Sequence, residues 1–330
     1  GPMDVSMAQL PRILETLTSM DQPGCPRRAD RTTAFALWEQ ARTGLLASVV
    51  ARERNPAAIA LLWFNRDFDR RTNDSIVDQR VRRDSSSRAE KSFAARGSAG
   101  SFVKDGFRRD SSGIFLYLAP DPDVLLDPGF VAGYCFSIAP AIASRADQVG
   151  LHFVPVSRKT GRIDLEGTLW VDTLARAIKD VEYRYIGLEN AQDKLRPGGQ
   201  LFFTQLSNGI LMLERWTLRM AGAEYDTIAN KVTNRRLPGD FGGTSGRGSG
   251  IDPNTYYAVE EGGELLRAHW PDGSTWMASL GTLRMRAVDA SGRPVPHAII
   301  QLEGTDYEAT TDSVGRADIV DLVPGPYTIV

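Results

Sequence analysis

The three histidines are the first residues to consider for catalysis, because an imidazole titrates near neutral pH and can transfer protons or bind metals. His152, His269 and His297 are far apart in the chain, and the sequence contains neither a Gly-x-Ser-x-Gly nor a His-Glu-x-x-His motif. We therefore expect no enzymatic activity and no cofactor. A hydrolase whose site is assembled from distant parts of the chain is kept as the second alternative.

Clustered aspartates and glycines suggest two further kinds of site, for a metal and for a nucleotide. Asp121, Asp123 and Asp127 lie in a proline-rich turn and could offer oxygen ligands to calcium, but their spacing does not match an EF-hand loop. The glycine-rich stretch 239–250 is not followed by Lys-Ser or Lys-Thr, as a phosphate-binding loop would be. We favour turn capping and a plain loop, and we predict no metal site.

Five aromatic residues on neighbouring predicted strands are the candidates for a ligand-binding surface. Aromatic rings on a sheet can stack on sugars or line an apolar cleft, and they equally form the core beneath a helix. Packing in the core is the favoured interpretation, and ligand binding is the alternative. The five residues are Trp170, Tyr183, Tyr185, Phe202 and Trp216.

The composition indicates a folded protein without a strong electrostatic preference. The chain has 330 residues, of which 42% are hydrophobic and 24% charged, and its formal net charge is −2. A packed core is therefore expected, and the charge gives no reason to expect nucleic acid as a partner. No apolar run approaches the roughly 20 residues of a transmembrane helix. Two cysteines are too few for a disulfide-dense scaffold.

The elements that would position these residues begin with a helix. Apolar residues at spacings of three and four predict a helix over 32–54, and a strand follows at 57–64. Residues 66–112 are rich in Arg, Ser and Gly. We interpret them as a solvated, mobile excursion between strands, with a basic patch for an anionic partner as the alternative.

Short connections predict an antiparallel meander over residues 149–220, because a parallel crossover needs a dozen or more residues. Within it, Asn208-Gly209 predicts a two-residue hairpin. The helix at 32–54 would cover one face of this sheet. We therefore predict an α+β fold with a first domain at 4–220, a Gly/Ser/Arg-rich linker at 221–254 and a second domain at 255–330.

The last fifty residues resemble a known module. Asp289…Gly292-Arg293-Pro294, the turn Thr311-Asp312…Gly315 and the strand introduced by Pro324-Gly325-Pro326-Tyr327 resemble the carboxypeptidase regulatory-like domain. The resemblance implies a small transthyretin-like β-sandwich over 281–330, truncated before its final strand. Segments 167–172, 181–185 and 215–220 resemble bacterial envelope proteins that carry this domain. The strand pattern is also similar to lipoprotein-carrier folds, in which a curved antiparallel sheet wraps a helix.

These resemblances imply a periplasmic or extracellular protein with a non-catalytic binding or structural role and another envelope protein as its partner. The alternative is a carrier that binds a hydrophobic or sugar ligand in the cleft of a curved sheet. Gly1-Pro2-Met3 is interpreted as a protease-cleavage scar followed by a start codon, so the absence of a signal peptide does not argue against export. Because export would expose the thiols to an oxidising compartment, Cys25 and Cys135 are expected to form a disulfide, with two free thiols as the alternative.

Overall fold

The computed structural model describes residues 25, 31–89, 94–95, 99–111, 114–157, 161–175, 177–206, 211–223, 240–246 and 256–330. The turn at Asn208-Gly209 and most of the linker at 221–254 lie outside these residues. The described part of the chain is mostly β structure, with one long helix and several short ones.

The helices are α1 (Arg31–Arg54), α2 (Ala99–Asp105), α3 (Pro122–Leu126), α4 (Pro128–Gly133) and α5 (Asn190–Asp193), with a 3₁₀ turn at Ala143–Arg145. The strands of the first half are β1 (Ala57–Phe68), β2 (Ile76–Ala89), β3 (Ala94–Ala95), β4 (Arg108–Ser111), β5 (Ile114–Leu118), β6 (Tyr134–Ile138), β7 (Gln148–Pro155) and β8 (Asp164–Asp172). Those of the second half are β9 (Ile178–Ile186), β10 (Gly198–Gln205), β11 (Leu211–Ala223), β12 (Asp240–Gly246), β13 (Tyr256–His269), β14 (Thr275–Met277), β15 (Gly281–Arg286), β16 (Ile299–Gln301), β17 (Glu308–Thr310) and β18 (Arg316–Leu322).

Helix α1 confirms the predicted helix and presents one apolar stripe. Ala34, Trp38, Ala41 and Leu45 are at most 2% exposed and recur at spacings of three and four residues. This stripe packs on β6, β7, β9 and β11. The helix therefore covers one face of the sheet, which we call the helix face, and the opposite face is the outer face.

A large antiparallel sheet dominates the fold, with the strand order β2-β1-β13-β11-β10-β9-β8-β7-β6 and with β14 paired to β13. Every pairing among β7, β8, β9, β10 and β11 is antiparallel, which confirms the predicted meander. A smaller sheet of order β3-β12-β5-β4 joins helices α2, α3 and α4 over the helix face.

The boundary predicted at residue 255 is wrong for strand β13. This strand lies between β1 and β11 in the large sheet and belongs to the first domain. Gly262 lies in the middle of this strand, directly opposite Phe64. A Cβ atom there would lie 2.2 Å from the Phe64 ring, so the glycine provides close approach and not a change of chain direction.

The excursion predicted at 66–112 is largely regular structure. Strand β1 continues to Phe68, and β2 pairs antiparallel with it at the edge of the sheet. Along β2, Gln79 and Val81 are buried whereas Arg80 and Arg82 are exposed. The Arg- and Asp-rich composition is therefore that of an edge strand with one solvated face, which discourages pairing with another chain.

The C-terminal unit, residues 280–330, packs on the outer face and forms a second apolar core. Leu62, Phe64 and Val81 of the sheet are buried against Leu302, Tyr307, Ile319, Leu322 and Val323 of the unit. Its strands form two antiparallel pairs, β15–β18 and β16–β17. Asp289 and Asp312 each accept backbone hydrogen bonds from the turn that follows, as their spacing before Gly292 and Gly315 predicts.

Candidate functional site

The five aromatic candidates do not form a single surface. Leu169 pairs with Val181, which places Tyr183 and Tyr185 on the helix face, whereas Trp170 pairs with Asp180 on the outer face. Tyr183, Tyr185 and Trp216 belong to the core that contains α1 and are at most 5% exposed.

Trp170 packs beneath an ion-pair cluster on the outer face. The Arg145 guanidinium lies 4.5 Å from the Trp170 ring centre, donates to both carboxylate oxygens of Asp180 and contacts Glu182. Burial raises the pKa of Asp180, and the hydrogen bond from Arg145 opposes the shift. Because Trp170 is only 3% exposed, its ring packs against its neighbours and offers no surface to a ligand.

Phe202, in contrast, lines a groove on the outer face. This outer-face groove has a volume of about 210 Å³ and lies on four adjacent strands, beside the C-terminal unit. Its lining residues are Phe64, Arg66, Gln200, Phe202, Arg215, Thr217, Glu260, Glu264 and Pro324. The groove therefore joins polar and aromatic side chains from β10, β11, β13 and β1 with one residue of the C-terminal unit.

The register of these strands explains how the lining residues come together. Phe202 lies opposite Arg215, and Arg215 lies opposite Glu264. Arg66 lies opposite Glu260 on the other side of β13. Since alternate residues of a strand point to the same face, each strand contributes every second side chain to the groove.

Arg66 connects the groove to the C-terminal unit. Its guanidinium donates to Glu260 Oε1 at 2.8 Å, to Gln79 Oε1 at 2.6 Å and to the backbone oxygen of Pro324 at 2.6 Å. It also lies 4.1 Å from the centre of the Phe64 ring. Such a fully engaged arginine fixes one wall of the groove and holds the C-terminal unit against the sheet.

Arg215 and Glu264 are the less engaged charges of the groove. The Arg215 guanidinium lies 4.0 Å above the Phe202 ring. Glu264 is 5% exposed, and its Oε2 atom has no hydrogen-bond partner within the described chain. Burial raises the pKa of the Glu264 carboxyl, and the charge of Arg215 opposes this shift.

The aspartates and the histidine considered for metal binding and catalysis make ordinary structural contacts. Asp121 caps α3 by accepting from Val124 N, and Asp127 caps α4 by accepting from Gly129 N. His152 lies 3.4 Å from Thr168 Oγ1 on the outer face. In the ranges that the structure describes, no group of three His, Cys, Asp or Glu residues is arranged to hold a metal ion.

The structure contains a disulfide between Cys25 and Cys135, whose Cα atoms are 5.5 Å apart. It joins the segment before α1 to β6, the edge strand of the large sheet. Among the described helices, none combines the length and the apolarity needed to cross a membrane.

Sequence reasoning missed the groove because its main strand, β13, was assigned to another domain. The available signal was the alternation of Arg215, Thr217 and Arg219 with buried Trp216 and Leu218, which marks a strand with one polar face.

No protein-family model, curated protein or solved structure matches this chain.

Proposed function

We propose that the protein is a non-catalytic binding protein of the cell envelope and that the outer-face groove is its ligand site. The observation that carries this proposal is the groove itself, in which two arginines, two glutamates and two phenylalanines converge beside neutral Gln200 and Thr217. A concave site with a few placed polar groups is typical of small-molecule binding. Its volume of about 210 Å³ suits a ligand the size of one sugar ring or one amino acid.

The arrangement of the two glutamates favours binding over glycoside hydrolysis. Glu260 and Glu264 lie on the same face of one strand and line the same groove. A glycosidase needs two carboxyl groups, one to donate a proton and one free to attack the sugar or to activate water. Glu260 is engaged by Arg66, which disfavours proton transfer by that carboxylate. These features support a site that holds a ligand without cleaving it.

The envelope location rests on the disulfide and on the resemblance of the C-terminal unit to the carboxypeptidase regulatory-like domain. Disulfides persist in oxidising compartments such as the periplasm and are rare in the cytosol. The Asp289 and Asp312 turns support the resemblance, and the unit serves here as one wall of the groove through Pro324.

A variant that fills the groove tests the proposal. Thr217→Trp places an indole between Phe202 and Glu260, while Thr168→Trp makes the same change on the outer face of β8, three strands away. Saturation-transfer NMR is recorded with a panel of monosaccharides, amino acids and short-chain fatty acids. We expect one class to bind the wild type and Thr168→Trp but not Thr217→Trp.

Two results would overturn this proposal. One is that no compound of the panel binds the wild type. The other is that the Thr217→Trp variant, shown by circular dichroism to be folded, binds as well as the wild type.

A further inference from the structure

Glu264 is a buried, charged residue of the groove with an oxygen unpaired in the part of the chain that the structure describes, and this is the main reason to expect a ligand there. Its carboxyl lines the groove, is almost entirely shielded from solvent, and leaves Oε2 without a hydrogen-bond partner among the described residues. A buried oxygen of this kind is costly unless a donor reaches it. Because this carboxyl lines the groove, a small rotation of the carboxyl group about its last side-chain bond brings Oε2 within reach of a donor on a bound molecule.

Arg215 supplies the complementary group next to it. The two residues are direct cross-strand neighbours on β11 and β13. Stacking on Phe202 restrains the plane of the Arg215 guanidinium, and its N–H groups act only as donors. A ligand in the groove therefore meets an acceptor, Glu264, and a restrained donor, Arg215, side by side.

The charges of the groove favour a neutral ligand. Arg66 and Arg215 balance Glu260 and Glu264, so the four formal charges sum to zero. An isolated ammonium group at Glu264 would be repelled by Arg215, and an isolated carboxylate at Arg215 would be repelled by Glu264. A zwitterion such as alanine satisfies both residues as well, but it offers nothing further to neutral Gln200 and Thr217, whereas the hydroxyl groups of a sugar can both donate and accept.

We propose that the groove recognises a saccharide through two adjacent hydroxyl groups, one donating to Glu264 Oε2 and the other accepting from Arg215. Gln200 and Thr217 provide further neutral partners for the remaining hydroxyls. This inference rests on the proposed function, and it names the chemical class of the ligand and the two residues that select it.

The test combines a conservative variant with deoxy sugars. Glu264→Gln keeps the shape of the side chain and removes its charge, and Glu261→Gln is the matched control, because Glu261 is equally buried on the helix face of the same strand. The probes are glucose, galactose, mannose, their monodeoxy derivatives, and alanine, each measured by saturation-transfer NMR titration. We expect at least one sugar to bind about tenfold more weakly to Glu264→Gln than to the wild type and to Glu261→Gln.

The deoxy sugars test the same two contacts by changing the ligand instead of the protein. Removing either of the two recognised hydroxyls should weaken binding to the wild type by a similar factor. The deoxy sugar that lacks the hydroxyl at Glu264 should bind Glu264→Gln and the wild type equally. Sugar binding that is unchanged in Glu264→Gln and in every deoxy derivative overturns the inference and leaves the proposed function intact. Binding of alanine but of no sugar has the same consequence. Absence of any ligand overturns the proposed function as well.

Discussion

Gly262→Ala is expected to destabilise the protein because the added methyl group has no space. Its Cβ would lie 2.2 Å from Phe64 Cζ, 2.5 Å from Phe64 Cε2 and 2.6 Å from the backbone oxygen of Trp216. Ordinary contacts at this atom are 3.4–4 Å, so the ring or the strand must move by more than 1 Å. Phe64 is 2% exposed and lies between the C-terminal unit and the Arg66 guanidinium, which restricts the movement of its ring.

The expected cost is about 3 kcal/mol, the upper end for an overpacked core. Urea denaturation of the wild type and of Gly262→Ala measures the difference in the free energy of unfolding. Gly44→Ala is the matched control: nothing lies within 4 Å of its new Cβ, and alanine is favoured in a helix, so this variant should gain about 0.5–1 kcal/mol.

A double variant identifies the clashing atoms. Phe64→Leu removes the Cζ and Cε2 atoms, so adding it to Gly262→Ala should cost little further stability or restore some. The two changes should be coupled by at least about 1 kcal/mol. A free energy of unfolding for Gly262→Ala within 0.5 kcal/mol of the wild-type value, or strictly additive effects in the double variant, would refute the reasoning.

Three further outcomes are expected. Replacing Cys25 and Cys135 by serine should lower the free energy of unfolding by about 4–5 kcal/mol in the chain-entropy model, because the bond closes a loop between residues 110 positions apart; equal urea midpoints with and without reductant would contradict this. Because burial raises the pKa of Glu264 above its ordinary value of 4.5 in the folded state, its contribution to stability is full at lower pH and is lost as the pH rises through the folded-state pKa. Glu264→Gln should therefore be more stable than the wild type at pH 7 and not at pH 4, and a pH-independent difference in urea midpoints would count against it. Arg66→Met should increase amide hydrogen exchange in the C-terminal unit by removing the bond to Pro324, whereas Arg80→Met, on the exposed side of β2, should not.

Local patterns were sufficient to predict the elements whose partners are near in sequence. Helix α1 followed from apolar spacing, the antiparallel order of β7–β11 followed from short connections, and the turns at Asp289 and Asp312 followed from Asp-x-x-Gly spacing. Each depends on interactions within a few tens of residues, which the sequence displays directly.

The place of β13 could not be predicted in this way. Arg66 and Glu260, which pair across β1 and β13, are 194 residues apart, and no local pattern records such a pairing. In the sequence, a pair of glycines in the middle of a strand looks the same as a pair in a turn. Only the structure shows that Gly262 lies opposite the Phe64 ring and is needed there for close packing.

The candidate site was predicted only in the case of Phe202. The alternation along β8 is visible in the sequence and places Trp170 and Leu169 on opposite faces, but the faces of Tyr183, Tyr185 and Trp216 depend on inter-strand register. A bulge between Phe202 and Phe203 shifts that register further, and the sequence carries no visible sign of it. The charged residues of the groove were missed because they come together only when β13 separates β1 from β11.

The position of β13 also has a consequence for the order in which the protein folds. During synthesis, β1, β2 and the strands from β6 to β11 all leave the ribosome before the strand that joins them. Until residue 269 emerges, one backbone edge of β1 and one of β11 lack the partner they have in the native sheet. Two long strands with open edges are sites for pairing with other chains, and closing contacts across nearly 200 residues is slow. We therefore expect refolding to have a slow phase in which β13 inserts, and a fragment ending at residue 223 to aggregate more than the full chain does at the same concentration.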